Sequence, residues 1–356
     1  MTVQAVDEAK VEQLMGTLVG YMTGGAMCLG IWLGDELGFY TALAGAGPTS
    51  AETLASKTGC NARLVREWLD SQTAGGLITY DAAADAYTLT PEASLPLADE
   101  TAPVFVARAM NAIGSFYRDI DKFKDAFRTD GALSWADHDH TLFQGTEWFF
   151  RPGYRAALPG EWIPALDGVV EKLQAGGKVA DIGCGHGAST IAMADAFPNS
   201  KFWGFDFHDA SIETSKERAA EAGVSDRTTF ATADAKSYDG TYDLICFFDC
   251  LHDMGDPVGI ARYAREHLAP GGTVLLVEPF ALDDRVANLS QNPMAPLLYL
   301  ASTVICTPNS LSQDVGLGLG AQAGEARLRE VFEQAGFSTL RKAAETPLNL
   351  ILEAKA

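Results

Sequence analysis

Three acidic residues and a glycine-rich turn lie in an order suited to binding a cation that carries a nucleotide part. The run from Val179 to Gly187 reads Val-Ala-Asp-Ile-Gly-Cys-Gly-His-Gly, and a helix is expected to begin at Ala188. Glycines let the backbone approach a ligand closely, and a helix N-terminus offers free N–H groups. Asp181 stands two residues before Gly183, where a carboxylate would hold a cationic amino group and repel a pyrophosphate.

Two further acids follow the next two expected strands. Asp206 lies near the end of the strand Phe202–Phe207, where a ribose diol needs a two-oxygen acceptor. Asp234 follows the strand Thr228–Ala231. The same glycine turn, with Ala188, also satisfies the loose dinucleotide pattern, so a nucleotide-dependent oxidoreductase stays open as an alternative.

A histidine at the end of a later strand is the candidate base. His252 lies in the phrase from Asp249 to Asp256, after the expected strand Tyr242–Phe247. The carboxyl ends of strands in such sheets face the ligand crevice, and histidine titrates in the useful range. We expect His252 to act as a general base that takes a proton from a hydroxyl group of the substrate. In the alternative, His252 only lines the pocket of an enzyme whose nitrogen or carbon acceptor needs no base.

The sequence predicts two architectures, and the α/β region contains the residues named above. From about Trp162, strands alternate with helices, which predicts an α/β fold with a doubly wound, mostly parallel sheet. Its expected strands are Val179–Ile182, Lys201–Phe205, Thr228–Ala231, Tyr242–Phe247, Thr273–Val277, Thr339–Lys342 and Leu348–Ala354. Residues 28 to 90 predict a winged helix. Its expected elements are the helices Ile31–Leu43, Ala51–Lys57 and Ala62–Ala74, a capping box Thr49–Glu52, and the strands Leu77–Tyr80 and Tyr87–Thr90.

Composition narrows the function class. The formal charge is -21, and residues 1 to 100 carry 4 Lys and Arg against 13 Asp and Glu. Such a field repels nucleic acids and anionic membranes, so we expect the winged helix not to bind DNA. The six cysteines form no C-x-x-C pair, which indicates reduced thiols in a cytoplasmic protein. No metal-ligand spacing is present. The uncharged stretch Leu14–Gly34 predicts helices buried in a partner subunit or in the core, without membrane insertion.

The cofactor pattern resembles the class I S-adenosylmethionine-dependent methyltransferases. In that family the acid-x-Gly-x-Gly turn holds the methionine part of S-adenosyl-L-methionine, the acid after the second strand holds the ribose hydroxyls, and the acid after the third strand holds the adenine amino group. The resemblance therefore implies a Rossmann-like sheet of seven strands whose last strand is antiparallel. The implied cofactor-binding residues are Asp181, Gly183, Gly185, Asp206, Phe207, Asp234, Ala235 and Asp249.

Residues around His252 resemble the O-methyltransferase branch, which carries His-Asp-Trp-x-Asp with the histidine as base. Here Met254 replaces the tryptophan. The branch flanks its base with a glutamate that Glu278 matches by position, and a second one for which Glu325 is nearest. The N-terminal region looks like the dimerisation module of small-molecule O-methyltransferases of the plant caffeate and bacterial polyketide types.

The resemblance implies a homodimer that methylates a small, largely apolar acceptor. The expected domains are 1–95 (winged-helix-like dimerisation domain), 96–160 (helical connector) and 161–356 (S-adenosylmethionine-binding methyltransferase domain). A second alternative is a winged-helix transcriptional regulator that binds the cofactor as a signal.

Overall fold

A computed structural model describes residues 6–356 and divides the chain into two compact units. The first unit contains residues up to 117 together with 140–152, and the second contains 118–139 together with 153–356. Residues of the predicted connector 96–160 are therefore divided between the two units.

The first unit is a winged helix preceded by a long helix. Its elements are α1 (Glu8–Glu36), α2 (Phe39–Leu43), α3 (Ala51–Thr58), α4 (Ala62–Ala74), β1 (Thr79–Asp81), β2 (Ala86–Thr88), α5 (Pro91–Leu97), a 3₁₀ turn (Ala107–Ala109) and α6 (Met110–Arg118). The strands β1 and β2 pair antiparallel as the wing. Leu43, Leu54, Leu69 and Tyr87 are among the fully buried side chains of its core. The predicted winged helix is confirmed.

Two local predictions in this unit are wrong. The expected helix Ile31–Leu43 is two helices, because Gly38 has a φ of 68° and this left-handed conformation ends the helical path before α2. The capping residue of α3 is Ser50 rather than Thr49: the Ser50 hydroxyl accepts from the Thr53 N–H at 3.2 Å. Thr49 instead pairs its backbone with Tyr87, which connects the start of α3 to the wing.

The uncharged stretch Leu14–Gly34 lies within α1. Burial in the core of this chain is the wrong alternative, since most of the large apolar side chains of α1 are exposed; they include Leu14, Leu18, Val19, Met22 and Leu29. Among residues 6–356, α1 is the one helix whose length and composition would allow it to cross a membrane.

The second unit carries the seven-stranded sheet. Before it come α7 (Ile120–Ala126), a 3₁₀ turn (Trp135–Asp137) and α8 (His140–Ala157), which the two units divide after Pro152. The remaining elements are a π-helical turn (Leu158–Trp162), α9 (Val169–Ala175), β3 (Lys178–Ile182), α10 (Ala188–Ala196), β4 (Lys201–Asp206), α11 (Asp209–Glu221), β5 (Thr228–Thr232), β6 (Tyr242–Phe248), a 3₁₀ turn (Leu251–Asp253), α12 (Pro257–Glu266), β7 (Leu268–Pro279), α13 (Arg285–Gln291), α14 (Ala295–Ala301), a second π-helical turn (Ser302–Cys306), α15 (Thr307–Leu311), α16 (Gly324–Gln334), β8 (Thr339–Glu345) and β9 (Asn349–Lys355).

The sheet confirms the predicted topology. Its strand order is β5-β4-β3-β6-β7-β9-β8. Pairing is parallel from β5 to β7, and β9 pairs antiparallel with both β7 and β8. The central strands are buried on both faces, as helix-covered parallel strands must be; β3 and β6, for example, contain Val179, Ile182, Leu244 and Phe247. Because β3 and β6 are parallel neighbours, their carboxyl ends open at the same edge.

A long excursion separates β7 from α16. Residues 281 to 323 contain α13, α14, the second π-helical turn and α15, and then an irregular stretch. That stretch returns to the loop after β6: the Leu317 N–H donates to the Gly255 carbonyl at 2.9 Å, and the Gly320 N–H donates to the His252 carbonyl at 3.1 Å. The excursion therefore forms one wall of the crevice at the carboxyl edge of the sheet.

Candidate active site

The glycine turn leaves open space over its centre. Gly183 and Gly185 have φ angles of 75° and 52°, which side-chain-bearing residues rarely adopt. A Cβ on Gly183 would lie 3.0 Å from the sulfur of Cys250, whereas a Cβ on Gly185 would meet nothing within 4 Å. The next helix, α10, has Gly187 as its N-cap and no side-chain cap. Backbone N–H groups and open space thus coincide where a ligand would bind.

Asp181 lies at the floor of this turn and is fully buried. Its Oδ2 accepts from the hydroxyls of Ser189 and Thr190, each at 2.6 Å. Its Oδ1 has no hydrogen-bond partner. Burial raises the pKa of Asp181 to about 6, with Asp206 adding to the rise and the two hydroxyls opposing it. A buried carboxylate with one free oxygen is suited to a cationic group, which would remove the desolvation cost.

Asp206 ends β4 and connects it to the glycine turn. Its Oδ2 accepts from the Gly185 N–H and its Oδ1 from the His208 N–H, both at 2.9 Å. Burial raises its pKa, against these two backbone hydrogen bonds. Each carboxylate oxygen can accept a further bond, so a diol could still be held. Beside it, the ring of Phe207 is 51% exposed.

The acid after β5 lies in an open position. Asp234 is exposed and its Oδ1 accepts from the Lys236 N–H at 2.8 Å. Ala235, next to it, is half-buried. The carboxyl ends of β3, β4 and β5 therefore carry Asp181, Asp206 and Asp234 in the predicted order on three adjacent strands.

Asp249, after β6, already has partners within the chain. It adopts a φ of 51°, unusual for a residue with a side chain. The Tyr154 hydroxyl donates to its Oδ2 and the Asn349 amide to its Oδ1, each at 2.7 Å. Burial raises the pKa of Asp249 to about 8, and the nearby Glu278 contributes. The sequence does not identify Tyr154 and Asn349 as partners of Asp249, since they lie 95 and 100 residues from it along the chain.

His252 and Glu278 form a buried pair. His252 Nδ1 hydrogen-bonds Glu278 Oε2, and the His252 N–H donates to Glu278 Oε1 at 3.3 Å. Burial alone would lower the pKa of His252, but the Glu278 carboxylate raises it above the usual value for histidine. The glutamate therefore holds both the ring and the backbone of His252, and it leaves Nε2 as the atom directed away from the pair.

The Nε2 atom of His252 contacts a cysteine that the sequence reasoning did not single out. Cys306 Sγ lies 3.3 Å from it, and Cys306 ends the second π-helical turn. The other expected flanking acid is elsewhere: Glu325 pairs with Arg329 at 2.6 Å and with Lys342. No signal in the local sequence identifies Cys306, because it approaches His252 from 54 residues away.

The glycine turn and the loop after β6, which carries His252, are in contact. Cys250, two residues before His252, donates its thiol hydrogen to the Ile182 carbonyl at 3.2 Å, and it fills the space beside Gly183. A cavity of about 440 Å³ lies further along the excursion, between α7 and the residues around the second π-helical turn. Its lining is mostly apolar and includes Phe123, Phe127, Tyr299, Val304 and Leu319. In the described part of the chain, no group of three or more His, Cys, Asp or Glu side chains is arranged to hold a metal ion.

The residues present fit a cationic, nucleotide-bearing cofactor. The free Oδ1 of buried Asp181 fits an ammonium group, the space over Gly185 fits a chain lying on the backbone, and Asp206 fits a diol. Asp181, Asp206, Asp249 and Asp253 all have raised pKa values, that of Asp253 reaching about 7, chiefly because of burial. A positive ligand would stabilise their ionised forms, whereas a pyrophosphate would oppose them.

Comparisons with known proteins agree with this reading of the fold. A family model described as "Methyltransferase domain" matches residues 154–341, more than half of the chain. A second model, "Rv2258c-like winged HTH domain", matches residues 25–98.

Individual relatives and solved structures were also found. The chain is 36% identical, over 107 residues or 29% of its length, to the 27-O-demethylrifamycin SV methyltransferase of Amycolatopsis mediterranei, and it spans 39% of that curated relative. The mitomycin 7-O-methyltransferase structure superposes with a TM-score of 0.69 at 20% identity, over 98% of this chain and 100% of that one. Human N-acetylserotonin methyltransferase, solved with S-adenosylmethionine, superposes with a TM-score of 0.69 at 20% identity, over 99% of both chains. At these identities the structural likeness shows the fold.

Proposed function

The chain belongs to the S-adenosylmethionine-dependent methyltransferase family, and from this premise we propose that it transfers a methyl group from S-adenosyl-L-methionine to an oxygen of a small, largely apolar acceptor. The observation that carries the proposal is the buried Glu278–His252 pair beside the glycine turn. A sulfonium donor is already activated when bound, so the protein must align the acceptor and remove its proton.

Cofactor binding is assigned to the carboxyl ends of β3, β4 and β5. Asp181 holds the amino-acid end, Gly183 and Gly185 admit the chain close to the backbone, and Asp206 accepts the ribose hydroxyls. Phe207 and Ala235 flank the adenine ring of the cofactor, and Asp234 accepts from the adenine amino group. Asp249 acts from further back: it holds Tyr154 and Asn349 together behind the crevice.

The base is assigned to His252. Glu278 accepts from Nδ1, which fixes the tautomer in which Nε2 carries the lone pair once the ring is neutral. By raising the pKa of His252, Glu278 also makes the neutral ring a stronger base. A stronger base suits a weakly acidic hydroxyl, because proton transfer is easiest when the two pKa values approach each other. We therefore favour a phenol or related hydroxyl over an amine, whose lone pair needs no base.

The acceptor is assigned to the specialised-metabolite class. The printed names of the rifamycin and mitomycin enzymes describe O-methylation of such molecules by proteins similar to this one. The 281–323 excursion supplies apolar side chains, and together with Phe123 and Phe127 it lines the 440 Å³ cavity. These features support a compact, mostly apolar acceptor that carries at least one hydroxyl.

The first unit is assigned to homodimerisation rather than DNA binding. The exposed apolar side chains of α1 are the kind of surface that a second subunit covers. On α4, Arg63 pairs with Glu67, and Arg66 pairs with Asp85 and Glu52. Since both arginines of the would-be recognition helix already have acidic partners, phosphate binding gains little there. The same charges, with the overall negative balance, favour a cytoplasmic protein that binds neither nucleic acid nor membrane.

The proposal is tested with cofactor labelled in its methyl group. The purified protein is incubated with panels of phenols, amines and carbon acids matched in size, and products are detected by label and by mass. We expect labelled O-methyl ethers from the phenol panel, and at least about tenfold less product from Asp206→Ala at the same limiting cofactor concentration. Methylation confined to amines or carbon acids would overturn the choice of acceptor atom. Tight binding of NADH, with no binding of S-adenosyl-L-methionine, would overturn the enzyme class.

A further inference from the structure

The proton-accepting atom of the proposed base is already occupied in this structure. His252 Nε2 lies 3.3 Å from Cys306 Sγ, and both side chains are buried. With Glu278 on Nδ1, the three residues form a chain of carboxylate, imidazole and thiol. An acceptor whose proton is to reach Nε2 must place its oxygen where Cys306 Sγ now lies.

The contact satisfies two groups that would otherwise be buried without a partner. Burial raises the pKa of the Cys306 thiol, while contact with His252 lowers it, so the thiol form with its hydrogen is favoured overall. When the ring is neutral, the thiol donates only weakly to Nε2, and a phenolic hydroxyl donates more strongly. The exchange of sulfur for a hydroxyl oxygen at Nε2 is therefore favourable, but the exchange of sulfur for an apolar group leaves Nε2 unpaired.

We propose that Cys306 is a positioning and specificity-determining residue. It contacts His252 Nε2 in the resting site, and only an acceptor that brings a hydroxyl to the same place displaces it. The inference rests on the proposed function and deepens it by specifying how the acceptor is recognised. An acceptor analogue with its hydroxyl replaced by hydrogen would bind against an intact contact between Cys306 and His252.

The π-helical turn that carries Cys306 provides the means of displacement. It runs from Ser302 to Cys306 between α14 and α15, and extra residues of this kind within helices are a recurrent feature of functional sites. Its other side faces the 440 Å³ cavity through Ser302, Thr303 and Val304. Open volume therefore adjoins three residues of the turn that carries Cys306, and we infer that this volume lets the turn shift when an acceptor displaces Cys306.

The first test needs neither acceptor nor cofactor. In protein labelled with ¹⁵N-histidine, the two ring nitrogens of His252 are assigned with the help of His252→Ala and followed across a pH titration. We expect Cys306→Ala and Cys306→Val each to shift the Nε2 resonance of the neutral ring, while Nδ1, held by Glu278, changes little. Cys246→Ala removes another buried thiol of the same unit and should leave both resonances unchanged. An Nε2 resonance that is the same in the wild type and both Cys306 variants would overturn the proposal.

The second test separates positioning from packing by kinetics with a hydroxyl acceptor from the label screen. Alanine removes volume and valine adds volume, but neither can bond Nε2. We expect both variants to lower the KM for the acceptor about twofold to tenfold, with kcat nearly unchanged, because the acceptor no longer displaces a hydrogen bond. Changes of KM in opposite directions, following side-chain volume, would indicate packing alone and overturn the proposal.

The two tests distinguish this inference from the function on which it rests. If the label screen yields no methylated product, the O-methyltransferase proposal fails. The ¹⁵N resonances then still test whether Cys306 contacts His252 Nε2. Failure of the Cys306 proposal is an unchanged Nε2 resonance, or KM values that follow volume, in an enzyme that methylates hydroxyls normally.

Discussion

Buried carboxyl groups differ between the two ends of the crevice. At the end formed by β3 and β4 a carboxyl oxygen is unpaired, whereas at the end formed by β6 and β7 the carboxyl groups are hydrogen-bonded within the chain. At the first end, Asp181 keeps one oxygen without a partner, and the space over Gly185 is open. At the second end, Asp249 receives hydrogen bonds on both oxygens, and Glu278 is bound by His252 at two points. Both ends belong to the same sheet and carry similar residue types.

We propose that this contrast separates cofactor binding from proton transfer within one sheet. An unpaired buried carboxylate is costly until a cation arrives, so under the proposed assignment cofactor binding at the first end would remove that cost. At the second end the carboxyl groups already have partners within the chain, so their orientation is set in advance; under our proposal an acceptor exchanges one contact for another. We expect substitutions at the first end to change cofactor affinity and substitutions at the second end to change turnover.

The largest expected effect is at His252. The variant His252→Ala should lose about 10²- to 10⁴-fold in turnover of a hydroxyl acceptor, the usual contribution of a general base. Cofactor affinity measured by calorimetry should change little, since the sulfonium needs no base. In the wild type, the pH–rate profile should show a limb above the usual histidine pKa, because Glu278 raises the pKa of His252. Glu278→Gln should move that limb to lower pH.

A second kinetic pattern at His252 would contradict the role of general base. If the alanine variant keeps most of its turnover and mainly raises the acceptor KM, His252 serves as a pocket residue. The second end would then bind rather than react, and a nitrogen or carbon acceptor would replace the hydroxyl in the proposal.

The next effect in size is at Asp206. Removing a charged acceptor of two hydroxyl hydrogen bonds costs about 1.5–3 kcal/mol. Asp206→Ala should therefore weaken cofactor binding at least about tenfold in calorimetry. A matched control is Asp209→Ala, which removes a carboxylate at the start of α11 that accepts from the Thr232 hydroxyl at 2.7 Å. Equal losses in both variants would mean that general charge, rather than the diol contact, governs affinity.

Asp181 gives a pH dependence with a defined sign. Its pKa in the folded protein is about 6, above the ordinary value of an aspartate, so the folded state without cofactor holds this proton where the unfolded chain has released it. The resulting contribution to stability is present at low pH and is lost as the pH rises through about 6. A bound ammonium group requires the ionised form, so cofactor affinity should rise about tenfold between pH 5 and pH 7. Asp181→Asn should flatten that rise in calorimetric titrations.

The smallest expected effect is at Asp249. Its two contacts with Tyr154 and Asn349 are internal, and its pKa of about 8 keeps the carboxyl largely protonated at neutral pH. Asp249→Asn should therefore change cofactor affinity by less than about threefold, since the neutral amide resembles the protonated acid. Thermal unfolding should report a small change of stability. A tenfold loss of affinity would place Asp249 with the binding end, as the family resemblance implies.

Short-range patterns in the sequence predict the order of the three acidic residues along the sheet, and the structure has the same order. The order of Asp181, Asp206 and Asp234 on successive strands follows from alternation of strands and helices, because right-handed crossovers bring all carboxyl ends to one edge. All seven predicted strands are present, with the antiparallel strand last, although β7 begins at Leu268 and is longer than the predicted Thr273–Val277. The limits were local, as at Gly38, where a single left-handed glycine divides one expected helix into two.

The reacting end depended on contacts that no local pattern carries. Glu278 was assigned beside His252 by family resemblance, and the structure brings the two together. Cys306, Tyr154 and Asn349 are ordinary residues in their own segments, and their importance arises only when the excursion, α8 and β9 are packed. Such partners are selected by the shape of the completed crevice, so a single sequence does not identify them.

The insertion of β9 between β7 and β8 has a consequence for how the protein is made. Every other strand of the sheet precedes β9 in the chain, yet β8 reaches the sheet only through β9, and Asn349 at the start of β9 supplies a hydrogen bond to Asp249. A growing polypeptide therefore holds β7 as an open edge, with unpaired N–H and C=O groups, until β9 emerges. The cofactor end can assemble early in synthesis, whereas the reacting end is completed last. Nascent chains halted before β9 should thus bind chaperones longer than chains extended past it.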